Sequence, residues 1–227
     1  MWLCADFRST SLFSLRSSIT TSSGGKTNLV PTMYTVKLAL VSVALEGGGD
    51  GPRTFELIRA LPIRFQPPRQ VVVSNTLIRV LREARGEGEV YGRTVGFREF
   101  CYYQGDLGVA FDLARAADGT EGELRQLLPL ITYFGKRGSF FQYVGCRTIE
   151  APDAAFGYVA GDRSPRSADY GVLQYLDDVG DRATFQALNT YDPASARMDR
   201  DRKLVPVLLP YRQVGSSRGY TSYVRTV

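Results

Sequence analysis

The stretch Leu128 to Val144, LPLITYFGKRGSFFQYV, organises the reading of this chain. An apolar run ends at Tyr133-Phe134. Lys136 and Arg137 then stand between Gly135 and Gly138, and an aromatic-rich run follows from Phe140. Glycines let a backbone turn sharply and approach a ligand, and the two cations put positive charge at that turn. Cations that hold phosphates beside aromatic rings that stack bases are the requirements for gripping single-stranded nucleic acid. A basic surface turn joining a helix to a strand is the plainer meaning of the same residues.

Upstream of this stretch, Glu121 to Ile131 has Leu124, Leu127, Leu128 and Ile131 at helical spacing, with Pro129 set to stop or kink the helix. Arg93 to Phe111 holds two extended runs, VGFREFCYY and LGVAFDL, linked by Gln104-Gly105-Asp106, which predicts an antiparallel hairpin. Before it, Ser74 or Asn75 can cap a helix carrying Leu77, Ile78 and Leu81 on one face and Arg79, Arg82 and Arg85 on the other. PIRFQPPR, Pro62 to Arg69, reads as extended because residues before proline avoid the helical region. Thr54 to Ala60 reads as a short helix after the GGGDGP loop. Met33 to Leu45, MYTVKLALVSVAL, reads as the first strand, with Tyr34, Val36, Leu38 and Leu40 alternating on one face.

Downstream, Val172 to Phe185 offers a strand and turn with Asp177, Asp178 and Asp181 close together, an acidic group that invites magnesium or is simply solvated. Asp199-Arg200-Asp201-Arg202 reads as a self-neutralising loop. Leu204 to Leu209 and Gly219 to Val224 read as a closing strand pair joined by YRQVGSSR. Strand, helix, hairpin, helix and strand pair in this order predict an α+β fold, a modified ferredoxin-like antiparallel sheet of the RNA-recognition type.

Residues 1–32 differ from the rest, with twelve Ser or Thr, three cations and Asp6 as the single acid. This composition suits a transit peptide or an upstream extension from a misassigned start, so residues 1–32 are expected to be a leader and 33–227 one RNA-binding domain. SSGGKT at Ser22 to Thr27 resembles the end of a phosphate-binding loop but has Thr20 where glycine is required.

The 227 residues are 44% hydrophobic with a net charge of +5, enough for a domain with its own core. Of 28 cations only four are Lys, and the Arg fork suits phosphates and base edges. The chain contains no histidine, which removes Ser-His-Asp triads, Cys-His dyads and His-ligated zinc. Cys4, Cys101 and Cys146 form no CxxC pair, and no cofactor or metal site is expected. The cysteine usage suggests no disulfide framework, so a reducing cytoplasm is the default expectation, and no run approaches the ~18 apolar residues of a membrane span. The RNA-binding candidates are Lys136, Arg137, Phe134 and Phe140 at the turn, joined by Arg64, Arg69, Arg79, Arg93 and Arg98.

MYTVKLALVSV, LITYFGKRGSFFQYVG and RKLVPVLLPY followed by SSRGYTSY together resemble the Cas-five family of type I CRISPR Cascade complexes, over most of Met33 to Val227. The turn Phe134-Gly135-Lys136-Arg137 is the most specific part of the match. The resemblance implies a modified ferredoxin-like fold with an inserted thumb in the Gly47 to Gly92 region. It also implies a non-catalytic subunit that binds the 5′ handle of the guide RNA. Its implied partners are the Cas-seven backbone subunit, whose filament it caps, and the large Cascade subunit. One branch of the family cleaves precursor guide RNA with a Tyr, Lys and His group, which a chain without histidine cannot assemble. VGSSRG at Val214 to Gly219 is a poor imitation of the glycine-rich loop of Cas-six nucleases. A metal-independent endoribonuclease and a purely structural assembly protein are the alternatives.

Overall fold

The computed structural model describes residues 1–20, 24–82, 92–161, 171–188, 198 and 200–227. In chain order these form β1 (Trp2–Ser9), β2 (Gly24–Gly25), α1 (Met33–Glu46), α2 (Gly51–Ile58), β3 (Ile63–Gln66), β4 (Gln70–Arg82), β5 (Gly92–Gln104), β6 (Leu107–Asp112) and α3 (Thr120–Leu127). A 3-10 turn at Leu128–Leu130 leads to β7 (Phe141–Ile149). Then come β8 (Tyr158–Val159), β9 (Val172–Val179), a 3-10 turn at Gln186–Leu188, β10 (Arg202–Leu209), β11 (Tyr211–Ser216) and β12 (Tyr220–Arg225). The fold is α+β with mostly antiparallel sheets and few helices. Four strands lie in the order β3-β6-β1-β7, five in the order β11-β12-β4-β5-β2, and three in the order β8-β10-β9.

The segment expected as a leader supplies the middle of the first sheet. Trp2 to Phe7 pair with Asp112 to Leu107, and Trp2 to Ser9 pair with Ile149 to Phe141 on the other side. The reason lies in the alternation of WLCADF. Leu3, Ala5 and Phe7 join the main core, whereas Cys4 joins a second buried cluster with Ala110 and Phe156 on the opposite face. A strand buried on both faces needs apolar residues at successive positions.

Met33 to Leu45 is a helix, not the first strand. Thr32 caps it by accepting a hydrogen bond from the Thr35 amide at 3.1 Å, and Gly47 follows its last turn. Met33, Val36, Lys37, Leu40, Val41 and Ala44 are buried at helical spacing. A Thr32→Ala variant is expected to lose about 1 kcal/mol, a fall of roughly 2–4 °C in melting temperature by circular dichroism.

The predicted helix after Ser74 is strand β4. Its Val71-Val72-Val73 run is β-branched, and each residue from Gln70 to Arg82 pairs with β5. Leu77 and Leu81 are exposed on this strand rather than forming a helix face. β5 and β6 are the two strands expected, but they do not pair with each other. Gly105, at φ 104°, turns the chain from the five-stranded sheet into the four-stranded one. At the carboxyl end three strands replace the expected pair: β11 and β12 form the hairpin, while β10 pairs with β8 and β9 elsewhere.

β4 and β5 are 13 residues each, a ribbon of ~44 Å at 3.4 Å per residue. Its inner end carries buried Val71, Val73, Cys101 and Tyr103; its outer end carries exposed Leu77, Leu81 and Val95. The helices pack together and α1 also packs on β9, where Lys37 lies inside the molecule and pairs with Asp178 at 2.7 Å. Among the described residues no helix is long and apolar enough to cross a membrane.

Candidate nucleic-acid interface

The Gly135 to Gly138 turn is a short closed loop between α3 and β7. Tyr133 bridges Phe140, the Phe134 amide donates to the Ser139 carbonyl at 3.2 Å, and the Ser139 amide donates to the Lys136 carbonyl at 3.1 Å. Gly135 and Gly138 adopt φ of 70° and 105°, the left-handed region that side chains disfavour. β1 and the residues after it fix the loop. The Thr10 amide donates to the Phe140 carbonyl at 3.1 Å, and the Ser11 hydroxyl donates to the Gly138 carbonyl at 3.2 Å.

Phe134 is a correction to the sequence-derived site. Its ring is 0% exposed and meets Phe7 edge-on at 5.0 Å and Phe141 at 5.1 Å, so it cannot stack on a base in this conformation. It anchors the loop instead. The turn thereby holds Lys136 and Arg137 outward, with Phe140 47% exposed beside them. Two cations and one open ring on a fixed backbone have the chemistry to hold a phosphate and a base, the ordering cost falling on the two long side chains rather than on the backbone.

The remaining candidates do not converge on this turn. Arg79 faces Val95 and Arg93 faces Leu81 across the ribbon, so Arg79 and Arg93 share one face with exposed Leu77. Arg98 pairs with Thr76 in register and belongs to the other face. Its guanidinium donates to the Phe97 carbonyl at 2.8 Å, and its aliphatic stem packs so closely on Gly25 that a Cβ there would meet it at 2.7 Å. Arg64 lies half-buried over the Trp2 ring at 5.9 Å and donates to the Ile63 carbonyl. Arg69 is exposed where the chain enters β4.

On the sheet face away from the helices, Phe156 covers Cys4 and Ala110, and Arg147 pairs with Asp6 and donates to Gln66 at 3.2 Å. Burial pushes the Asp6 carboxyl up and Arg147 pulls it back. The acids near the end of β9 are divided among different cations: Asp177 pairs with Arg202, Asp178 with Lys37, and Asp181 with Lys203. Among the described residues no group of His, Cys, Asp and Glu has the arrangement to hold a metal ion.

No protein-family model matches the chain. The CRISPR-associated protein Cas5 of Archaeoglobus fulgidus is 26% identical over 183 residues, covering 77% of this chain and 78% of that protein. Over that span the chain is similar to this Cas5 protein. A crystal structure of a CRISPR protein from Archaeoglobus fulgidus superposes with a TM-score of 0.48 at 12% identity, covering 100% of this chain and 92% of that one. A chain of a CRISPR RNA-guided surveillance complex gives a TM-score of 0.43 at 13% identity, covering 92% of this chain and 89% of that one.

The residues that hold the turn are Phe7, Thr10, Ser11 and Phe141, none of which composition or charge singles out. The signal available was the Leu3-Ala5-Phe7 alternation, hidden inside a segment dominated by Ser and Thr. Thr35 was legible only as part of a strand. In the helix it sits against the turn, where a Cβ on Gly135 would meet its methyl at 3.4 Å.

Proposed function

We propose that this protein is a non-catalytic subunit of a CRISPR interference complex of the Cascade type. In this reading it binds the 5′ handle of the guide RNA and caps the Cas-seven filament next to the large subunit. The observation that carries the reading is the anchored turn: Lys136 and Arg137 are held outward beside the open ring of Phe140, in a chain similar to Cas5. Arg fork and Lys ammonium neutralise phosphates, and the aromatic ring takes a splayed base. Arg79 and Arg93 on the ribbon, with Arg69 at its root, form a second basic surface for the same strand.

Strand order supports the modified ferredoxin-like assignment. β1, α1, β3, β6, α3 and β7 make the pattern strand, helix, two strands, helix, strand, with the outer strands β3 and β7 flanking β6 and β1. The β4–β5 ribbon, Gln70 to Gln104, enters between β3 and β6 and serves as the inserted thumb of this reading, further along the chain than the Gly47 to Gly92 region expected for it.

Gripping rather than cutting follows from the side chains at hand. With no imidazole in the chain, general acid-base cleavage lacks the side chain whose ordinary pKa matches neutral pH. Incubated with precursor repeat RNA in EDTA at high protein excess, the protein is expected to retain the RNA on a filter and leave it uncut. A single discrete cut would overturn the non-catalytic reading. Retention that does not weaken as salt rises would overturn phosphate holding.

A further inference from the structure

A pocket of about 350 Å³, the size of a small-ligand site, opens between β5, β9 and β12 and is lined on one side by residues 26–29. That segment is strapped in place along its length. The Ser17 amide donates to the Lys26 carbonyl at 3.1 Å, the Thr27 amide to Glu99 Oε2 at 2.9 Å, the Asn28 amide to the Leu15 carbonyl at 2.7 Å, and the Leu29 amide to Gln174 Oε1 at 2.9 Å.

Two polar groups of the pocket keep hydrogen-bonding capacity. Asn28 is 3% exposed, yet its side-chain amide has no partner among the described residues and is not sealed from solvent. A buried amide without a partner is costly, so one that reaches a pocket points to a ligand that completes it. Glu99 is half-buried and spends Oε2 on the Thr27 amide, which leaves Oε1 open. Tyr175 adds a ring 45% exposed, and the exposed Lys26 stands at the rim.

An anionic acceptor together with an amide matches the edge of guanine, whose N1–H and amino group donate while O6 accepts. Adenine presents an acceptor where guanine has N1–H, and uracil has one donor between two acceptors. An arginine or lysine would suit Glu99 but would meet the Lys26 charge on entry. The approach also favours a nucleic acid. Arg93, Val95 and Glu99 share one face of β5, opposite Leu81, Arg79 and Asn75 of β4, so the basic face of the ribbon runs down to the pocket over about 20 Å.

We propose that this pocket holds a guanine base, with Glu99 accepting from its N1–H and amino group, the Asn28 amide donating to O6 and the Tyr175 ring flanking it. As a base of an RNA strand lying over Arg79 and Arg93 it rests on the RNA-binding reading above; a free guanine nucleotide would offer the same chemistry.

The test is fluorescence anisotropy of the full chain with labelled uridine heptamers carrying one central guanosine, inosine or adenosine, with guanosine 5′-monophosphate titrated calorimetrically in parallel. The guanosine heptamer should bind roughly fivefold or more tightly than the adenosine one, and inosine, which lacks the amino group, should lie between them. Asn28→Ala removes a side chain without a partner, and Glu99→Gln keeps an acceptor for the Thr27 amide, so circular dichroism should show both folded. Each should bring guanosine down towards adenosine, and the difference between guanosine and inosine should vanish in Glu99→Gln. Equal affinity for the three heptamers in the unaltered chain, or a guanosine preference that survives in both variants, overturns the proposal and leaves RNA holding by the basic turn standing. No heptamer binding, with heat from the monophosphate that is lost in Glu99→Gln, would keep the guanine site and remove the RNA reading. Heat from acetyl-arginine-amide and none from the monophosphate, with no preference among the heptamers, would make the pocket a protein contact and overturn the proposal.

Discussion

The double variant Lys136→Ala with Arg137→Ala is expected to bind handle RNA at least tenfold more weakly than the unaltered protein at moderate salt. The slope of log affinity against log salt should become shallower by roughly 0.7 for each phosphate of single-stranded RNA that is no longer neutralised. Both side chains are exposed at the tip of the turn, so their removal should leave the fold intact. The backbone bonds that close the loop run through Phe134, Ser139 and the Lys136 carbonyl, none of which needs the two side chains. Fluorescence anisotropy across a salt series measures both quantities. An unchanged slope with unchanged affinity would remove the turn from the interface. A weakened affinity with unchanged slope would mean that the turn acts through shape rather than charge.

Replacing Lys37 by alanine is expected to cost about 3–5 kcal/mol, because it strands a partner charge in a nearly dry place. The Lys37 side chain is 1% exposed; its ammonium meets Asp178 at 2.7 Å and the Arg59 carbonyl at 2.9 Å. It thus ties α1 to β9 and to the end of α2. Burial pulls its pKa below the ordinary lysine value while Asp178 raises it. For a chain of this size the loss corresponds to a fall in melting temperature of roughly 10 °C or more. Lys37→Met combined with Asp178→Asn should recover much of that loss, since removing both charges leaves no stranded partner. Thermal unfolding of the unaltered chain and the two variants separates these outcomes. A Lys37→Ala protein that melts within a degree or two of the unaltered chain would show that the pair contributes little.

The turn was legible because its chemistry is local. Two glycines around two cations prescribe a tight loop whatever surrounds it, and the helix before it and strand after it follow their own periodicities. The fate of Phe134 was not legible, since an aromatic beside a basic turn reads equally as a platform or an anchor. The decision rests on Phe7, over a hundred residues earlier in the chain. Trp2 to Ser9 was obscured by the Ser and Thr residues behind it, which outweigh a six-residue alternation in any window.

Met33 to Glu46 shows a different difficulty. Val36, Val41 and Val43 raise strand propensity, and a helix packed against a sheet strand and two other helices shows apolar residues nearly all round. Thr32 and Gly47 at its ends were the better guide. For β4 the reverse held: Leu77, Ile78 and Leu81 sit at helical spacing on a strand whose outer half is exposed, so no buried face disciplined the pattern. Arg79 and Arg93 come together only through a register that pairs residues from distant strands, which spacing along the chain does not reveal.

The most direct measurement replaces Phe140 with a photo-crosslinking benzoylphenylalanine in the assembled, guide-loaded complex, followed by mapping of the crosslinked nucleotide. A crosslink within the 5′ handle is expected, and it should disappear when Lys136 and Arg137 are both alanine. An intact complex that gives a crosslink to protein alone, or to the guide far from its handle, would contradict RNA holding by this turn.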